Sequence, residues 1–162
     1  APLPRRAVMV QSPAVITPTL PRPPVILGLL GILPQALLVI VTMVLPLWRW
    51  AAIAAGCFYA AIILSFLGGM WWMLGLLTGR RDWGHYLLAV MPSLIGWAAL
   101  LPGLPGWSGP GPSLMVLGLC LLASPLVDRA LNRDAALPAD WLRLRRAMST
   151  GLGLTTLALA FA

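Results

Sequence analysis

The segment AAIAAGCFYAAIILSFLGGMWWMLGLL, residues 51–77, decides the fold of this chain because it contains no charged side chain. A bilayer core about 30 Å thick requires about 20 apolar residues in a helix that rises about 1.5 Å per residue. This segment therefore predicts a transmembrane helix. Other apolar runs give a set of approximate spans at 25–47, 51–77, 85–101, 113–128 and 147–162. The third and fourth runs are short, so a re-entrant hairpin is the alternative for that pair.

The composition agrees with a protein that lies mostly in lipid. Of the 162 residues, 60% are hydrophobic and 9% are charged, and the mean hydropathy is +0.91. Soluble domains carry about 25% charged residues, so most of this surface is unsuited to water. The net charge of +7 comes from arginines that flank the apolar runs and form no continuous basic surface. This pattern argues against nucleic acid as a partner and favours anionic membrane lipids.

The arginines also predict the orientation of the helices. With five spans, Arg49 lies alone on one side of the membrane. The other side holds ten arginines: Arg5, Arg6, Arg22, Arg80, Arg81, Arg129, Arg133, Arg143, Arg145 and Arg146. Positive residues concentrate in cytoplasmic loops. The sequence therefore predicts an all-α integral membrane protein, a five-transmembrane-helix bundle over residues 25–162, with a cytoplasmic N-terminus and a periplasmic C-terminus.

Residues 1–24 form a Pro-rich segment, which we call the arm and expect on the cytoplasmic side. Its seven prolines favour polyproline II conformation, and it has no apolar core of its own. It also lacks the apolar region of a signal peptide. An arm of this kind becomes ordered when it lies on a surface, which indicates a partner protein. The alternative is that it folds back on the basic loops of the chain.

The polar stretch 128–146 is expected to lie between the last two spans. Asp128 and Arg129 are candidates to cap the fourth helix, and the sequence from Pro138 to Trp141 is typical of a helix start. Arginines next to apolar runs bind lipid headgroups. The candidates for that role are Arg80, Arg81, Arg143, Arg145 and Arg146.

Small residues recur along the 51–77 helix and predict that it packs at the centre of the bundle. They are Ala54, Ala61, Ser65, Gly68, Gly69 and Gly75. Such residues let helix backbones approach each other closely, which is how helices associate in lipid.

The sequence offers little for chemistry. No predicted span has an ionisable residue near its centre, which argues against an ion-coupled transporter. We find no arrangement of residues for acid–base or metal catalysis, so we expect neither an enzyme nor a metal site. His85, the single histidine, lies at the start of the third span. Ligation of a haem or chlorophyll metal, or contact with a quinone, is one interpretation; a solvated or phosphate-bonded side chain is the commoner one.

One group of residues predicts a shallow notch for a small apolar ligand. The group comprises Trp72, Pro92, Ser93 and Trp97. Packing in the core of the bundle is the alternative. No cofactor is required by the sequence, but a bound lipid, quinone or pigment would fit this region.

Several motifs along the chain occur together. They are GLLGILP at 28–34, ILSFLGG at 63–69 followed by Trp72, MPSL at 91–94 with Trp97, and Pro138 with WLRLR at 141–145. This set resembles a small bacterial membrane family of unknown function whose eukaryotic relative is the mitochondrial transmembrane protein sixty-nine. At Trp71 and Met73 the chain departs from that family, whose members often carry a polar residue and a glycine there. The resemblance implies a multi-pass protein of the bacterial inner membrane and supplies no activity.

Three functions remain. We expect a non-catalytic accessory or assembly subunit of a larger energy-converting complex, respiratory or photosynthetic, that packs through small-residue helix faces and the arm. The alternative is a carrier or binding protein for an apolar small molecule such as a quinone, lipid or pigment. A membrane enzyme is the third and is disfavoured by the missing catalytic residues.

Overall fold

The computed structural model describes residues 20–103, 109–135 and 137–162, and these residues form α-helices, short 3₁₀ turns and connecting loops. The helices are α1 (Arg22–Leu30), α2 (Leu33–Val44), α3 (Arg49–Leu77), α4 (Trp83–Leu100), α5 (Gly111–Ala135) and α6 (Ala139–Ala160). The predicted arm falls mostly outside the described residues, since positions 1–19 are not among them.

Four helical segments are long and apolar enough to cross a membrane: Arg22–Val44, Pro46–Leu77, Trp83–Leu100 and Gly111–Arg133. They coincide with the first four predicted spans. Helix α6 has 22 residues, but four of them, all in its first half, are charged: Asp140, Arg143, Arg145 and Arg146. The fifth span therefore stays a prediction.

The first predicted span is not one helix but two. Gly31 and Ile32 form a turn between α1 and α2, just before Pro34. A proline inside a helix lacks the N–H group and its ring clashes with the preceding turn, which accounts for the break. The hydroxyl of Tyr59 on α3 donates to the carbonyl oxygen of Gly31 at 2.5 Å and so fixes the turn against the bundle.

Helix α1 begins earlier than the sequence predicted. It starts at Arg22, inside the predicted arm, with prolines at 23 and 24 in its first turn. The N–H groups of the first turn have no partner within the helix, so proline costs nothing there.

The last two helices correct the prediction for residues 128–146. Helix α5 continues for seven residues beyond Asp128, to Ala135, so Asp128 and Arg129 do not cap it. Helix α6 begins at Ala139 directly after Pro138, as the sequence pattern predicted. Most of the predicted polar loop is therefore helical.

Helix α3 packs against α2, α4, α5 and α6, which confirms its predicted central place, and α6 packs against α1, α2, α3 and α5. The buried core between them is rich in leucine and includes Leu64, Leu67, Leu117, Leu121 and Leu152. The guanidinium group of Arg49 contacts the carbonyl oxygen of Ala162. The start of α3 and the end of α6 therefore lie at one end of the bundle, which we call the Arg49 end.

Candidate functional site

Helices α3 and α4 approach each other through small residues. A Cβ atom placed on Gly68 would lie 2.4 Å from the carbonyl oxygen of Ala89, and one on Gly75 would lie 2.4 Å from the ring of His85. Gly96 of α4 faces the backbone of Ala61, with 3.2 Å between a Cβ atom there and the Ala61 carbonyl oxygen. The sequence-predicted residues Ala61, Gly68 and Gly75 thus lie together in this interface.

The other three predicted packing residues lie elsewhere on α3. Ala54 and Gly69 are exposed, and Ser65 is half-buried. Apart from its chain neighbours and the adjacent backbone of α3 itself, no described atom lies within 4 Å of a Cβ atom placed on Gly69. The two adjacent glycines therefore face different surroundings, since Gly68 contacts α4 and Gly69 faces away from the bundle.

A chain of four buried polar side chains joins four helices at the end of the bundle opposite Arg49, and we call it the polar chain. His85 on α4 bonds through Nε2 to the carbonyl oxygen of Trp71 on α3 at 2.8 Å. The indole Nε1 of Trp71 donates to Oδ1 of Asp128 on α5 at 2.8 Å. Oδ2 of Asp128 accepts from Nε of Arg145 on α6 at 3.1 Å and lies 3.0 Å from Nη2. Asp128 and Arg145 are 7% and 2% exposed.

The burial of Arg145 corrects its predicted role at the lipid headgroups. Helix α6 starts six residues earlier than Arg145, so this side chain lies about 9 Å inside the helix by its rise. Asp128 supplies the opposite charge that an arginine needs at such a depth. The other four candidates are accessible, and two are paired: Arg80 lies 3.7 Å from Asp82 and Arg143 lies 3.2 Å from Asp140.

The sequence contains a signal for this pair that the prediction for residues 128–146 did not use. Ser124 and Asp128 are four residues apart on α5, and Arg145 and Ser149 are four residues apart on α6. Residues at this spacing share one helix face. Because α5 and α6 are antiparallel, the order serine–aspartate on α5 and arginine–serine on α6 places serine opposite serine and aspartate opposite arginine. The two serine hydroxyls indeed lie 2.9 Å apart.

A second buried polar residue, Gln35 of α2, was not predicted. Its Nε2 donates to Oγ1 of Thr156 at 3.0 Å and to the carbonyl oxygen of Gly56 at 3.3 Å. The hydroxyl of Thr156 in turn donates to Leu152. Gln35 thereby fixes α2 against α3 and α6, while its Oε1 has no hydrogen-bonding partner among the described residues.

His85 is placed inside the bundle and not on its surface. Its Nε2 is engaged by the Trp71 carbonyl oxygen, and its ring lies against Gly75. The backbone N–H of His85 donates to Oδ2 of Asp82, which caps α4 and lowers the pKa of that carboxyl below its ordinary value. Within the described part of the chain, no group of histidine, cysteine, aspartate or glutamate side chains could hold a metal ion.

The four predicted notch residues differ in their surroundings. Trp72 is 42% exposed and packs edge-on against Tyr86, with 4.8 Å between ring centroids. Trp97 is 63% exposed. Pro92 is buried and lines a cavity of about 160 Å³ between α3, α4 and α5, and Ser93 is half-buried.

A larger cavity of about 330 Å³ lies between α1, α3 and α6, with one leucine of α5 in its wall. We call it the Arg145 crevice. Most of its lining is apolar, including Leu27, Phe66, Leu67, Met70, Met148 and Leu152. Trp141, Arg145 and Ser149 supply the polar groups, so the crevice combines an apolar lining with a few polar groups along α6.

Comparison with known proteins gives one result. A family described as a protein of unknown function, DUF3429, matches residues 20–161. No curated protein and no solved structure matches the chain.

Proposed function

The chain belongs to the DUF3429 family, and we propose that it serves as a non-catalytic accessory or assembly subunit of a larger complex in the bacterial inner membrane. The observation that carries this proposal is the outward face of α3 around Gly69. The proposed partners are subunits of an energy-converting complex, respiratory or photosynthetic.

The outward face of α3 is shaped for a second helix. Ser65 and Gly69 lie one turn apart, and no described atom fills the space beside Gly69. The larger side chains of Phe58, Ile62 and Trp72 are exposed on the same face of α3, before and after this pair, so the pair leaves a shallow groove between them. In lipid, helix association depends on close packing, and a pair of small residues four apart permits the closest approach. A partner's transmembrane helix fits this face.

The buried polar groups support a non-catalytic role. His85, Trp71, Asp128 and Arg145 bond to one another across four helices. Each of their hydrogen bonds joins two helices, while Nδ1 of His85 and Nη2 of Arg145 have no hydrogen-bonding partner among the described residues. A catalytic site would need such groups to face a substrate.

We propose the orientation that the arginines predict. Arg81, Arg133 and Arg146 are exposed, and their helix ends lie where the polar chain lies. Arg49 lies at the opposite end of the bundle. This asymmetry favours a cytoplasmic location for the polar-chain end and a periplasmic location for the Arg49 end.

The test is purification of the tagged protein from native membranes in mild detergent, with quantitative mass spectrometry of co-purifying proteins. The wild-type protein should recover partner subunits in a stoichiometric amount. Gly69→Ile should lose them, because the added side chain fills the groove. Ala98→Ile adds similar bulk on the exposed face of α4 and should retain them. Recovery of the wild-type protein alone would contradict the proposal.

The identity of the recovered proteins and the absorption spectrum of the preparation test the class of complex. Respiratory or photosynthetic subunits would support the proposed class. A partner from another class would leave the accessory role in place and refute this part of the proposal.

A second function, binding of an apolar small molecule, is favoured by the Arg145 crevice. Its volume of about 330 Å³ lies within the range of about 300–1,000 Å³ that is usual for small-molecule sites. Those sites also combine an apolar lining with a few polar groups. Organic extraction of the purified protein should recover a stoichiometric quinone, lipid or pigment, and an extract without one would contradict this function.

A further inference from the structure

The Arg145 crevice has a mouth and a closed end of different character. Leu27 on α1 and Phe66 on α3 are 68% and 62% exposed, so they stand where lipid chains would surround the bundle. Arg145 and Ser149 also line the crevice but are buried, so they lie in its closed interior. A ligand here would have its polar head inside the protein and its tail directed to the membrane.

The charge at the closed end is already balanced. Arg145 is paired with Asp128, and both oxygens of Asp128 accept hydrogen bonds, from Trp71 and from Arg145. A carboxylate or phosphate head would bring an additional negative charge into a buried place that has no net positive charge. Burial of an uncompensated charge is strongly unfavourable, so the crevice favours a neutral head.

The hydrogen-bonding groups also define the head. Ser124 donates its only proton to the carbonyl oxygen of Leu121, so the hydrogen bond between the two serines must be donated by Ser149. Ser149 therefore has no proton left for a ligand. Arg145 contacts Asp128 through Nε and Nη2, and Nη2 is fully buried. Arg145 also lines the crevice, where Nη1, which takes part in neither contact, is its remaining donor group. Arg145 and the indole N–H of Trp141 are thus the donors in the lining, and both require a head that accepts a hydrogen bond.

From this arrangement we infer that the Arg145 crevice binds a neutral apolar molecule with a carbonyl head, of the quinone class, whose oxygen accepts a hydrogen bond from Arg145. This inference rests on the small-molecule binding function above and specifies its ligand. The carbonyl oxygen of a quinone is an uncharged acceptor, its ring suits an apolar wall, and its tail leaves past Leu27 and Phe66.

The experiment uses the full-length protein in lipid nanodiscs with a photoreactive analogue of decylubiquinone, and mass spectrometry locates the labelled residues. Labelling should fall on residues that line the crevice and should be displaced by unlabelled decylubiquinone. Palmitate, which has an anionic head and a similar tail, should displace it far less. Stronger displacement by palmitate would overturn the neutral head.

Three variants test the site itself. Arg145→Lys keeps the positive charge beside Asp128 but removes the guanidinium donors, and it should weaken binding by about tenfold, as expected for one hydrogen bond from a charged group. Leu27→Trp narrows the mouth and should abolish labelling of the crevice. Leu29→Trp adds the same bulk to an exposed position of α1 outside the crevice and should change nothing. Unchanged binding in Leu27→Trp would overturn the inference, whatever Arg145→Lys does to folding.

These experiments can refute the quinone class without refuting the small-molecule binding function or the accessory role. Another apolar molecule in the organic extract, with no quinone labelling, would refute the quinone class and leave the binding function standing. Recovery of partner subunits bears on the accessory role alone.

Discussion

The pair α3–α4 and the pair α5–α6 are both antiparallel, but they are held together by different means. Gly68, Gly75 and Gly96 bring α3 and α4 so close that their backbones nearly touch. Helices α5 and α6 also meet at two glycines, where a Cβ atom on Gly118 would lie 3.2 Å from the carbonyl oxygen of Gly153. Beyond that point they are joined by two polar pairs.

The difference decides what each pair tolerates. The α3–α4 contact depends mainly on shape, so an added methyl group should disturb it more than a lost polar group. The α5–α6 contact depends on matched polar groups, so removal of one partner should disturb it most. The following substitutions separate these two expectations.

Asp128→Ala should cause the largest loss of stability. It leaves Arg145 buried without its opposite charge, and loss of one partner of a buried ion pair costs about 3–5 kcal/mol. Thermal unfolding of the purified protein in detergent, followed by circular dichroism, measures the loss. Asp140→Ala is the control, since its pair with Arg143 is exposed and such pairs contribute about 1 kcal/mol or less. Equal losses in both variants would show that the Asp128 pair is not buried as described.

Gly68→Ala should cause the second largest loss of stability. Its new Cβ atom would meet a backbone oxygen of α4, which cannot move without the helix, and overpacking of this kind costs about 1–3 kcal/mol. The adjacent Gly69→Ala is the control, because its Cβ atom meets no described atom and alanine favours the helix. The same unfolding measurement should find Gly69→Ala at least as stable as the wild type. If Gly69→Ala were less stable than Gly68→Ala, the assigned faces of α3 would be refuted.

Ser124→Ala should have a smaller effect on the α5–α6 pair. It removes the acceptor of the Ser149 hydroxyl, and hydrogen bonds between membrane helices are worth about 0.6 kcal/mol on average. A double-mutant cycle with Ser149→Ala measures this coupling. A coupling as large as the Asp128→Ala effect would mean that the serines, and not the charges, dominate the contact.

The smallest effect concerns pH at the start of α4. The His85 N–H group stabilises the ionised form of Asp82, so the pKa of this carboxyl is lower in the folded chain than in the unfolded one. The cap is therefore fully formed at any pH above the unfolded pKa. It is lost as the pH falls through the folded pKa, below the ordinary range of aspartate. Hydrogen exchange of the His85 amide should therefore show reduced protection at acidic pH. Asp82→Asn, which caps a helix without titrating, should show no such change relative to neighbouring amides.

The sequence was sufficient for the parts of the fold that depend on local pattern. The uncharged run at 51–77 predicted α3, and Pro138 predicted the start of α6. The small residues of α3 predicted close helix packing, and the structure shows that Gly68 and Gly75 make it with α4. These features depend on helix length, spacing and backbone geometry, which are properties of one segment at a time.

The polar chain could not be found in the same way. Asp128 and Arg145 each stand close to the end of an apolar run, where a charge is usually a cap or a headgroup contact. Their burial depends on where α5 and α6 end and on the register between them, which is set by packing at Gly118 and Gly153. Gln35 was missed because its partners lie on two other helices.

The pairing of Asp128 with Arg145 also bears on how the chain enters the membrane during synthesis. A lone aspartate or arginine at the centre of a transmembrane helix raises its insertion cost by about 2.5–3.5 kcal/mol, which is an upper bound for Asp128 and Arg145 because they stand nearer the helix ends. Asp128 is made 17 residues before Arg145, so α5 gains its counter-charge only after α6 has emerged, and α6 is the least apolar of the long helices. With α6 as the predicted fifth span, the two helices are expected to leave the insertion machinery together, as a hairpin in which the two charges are paired.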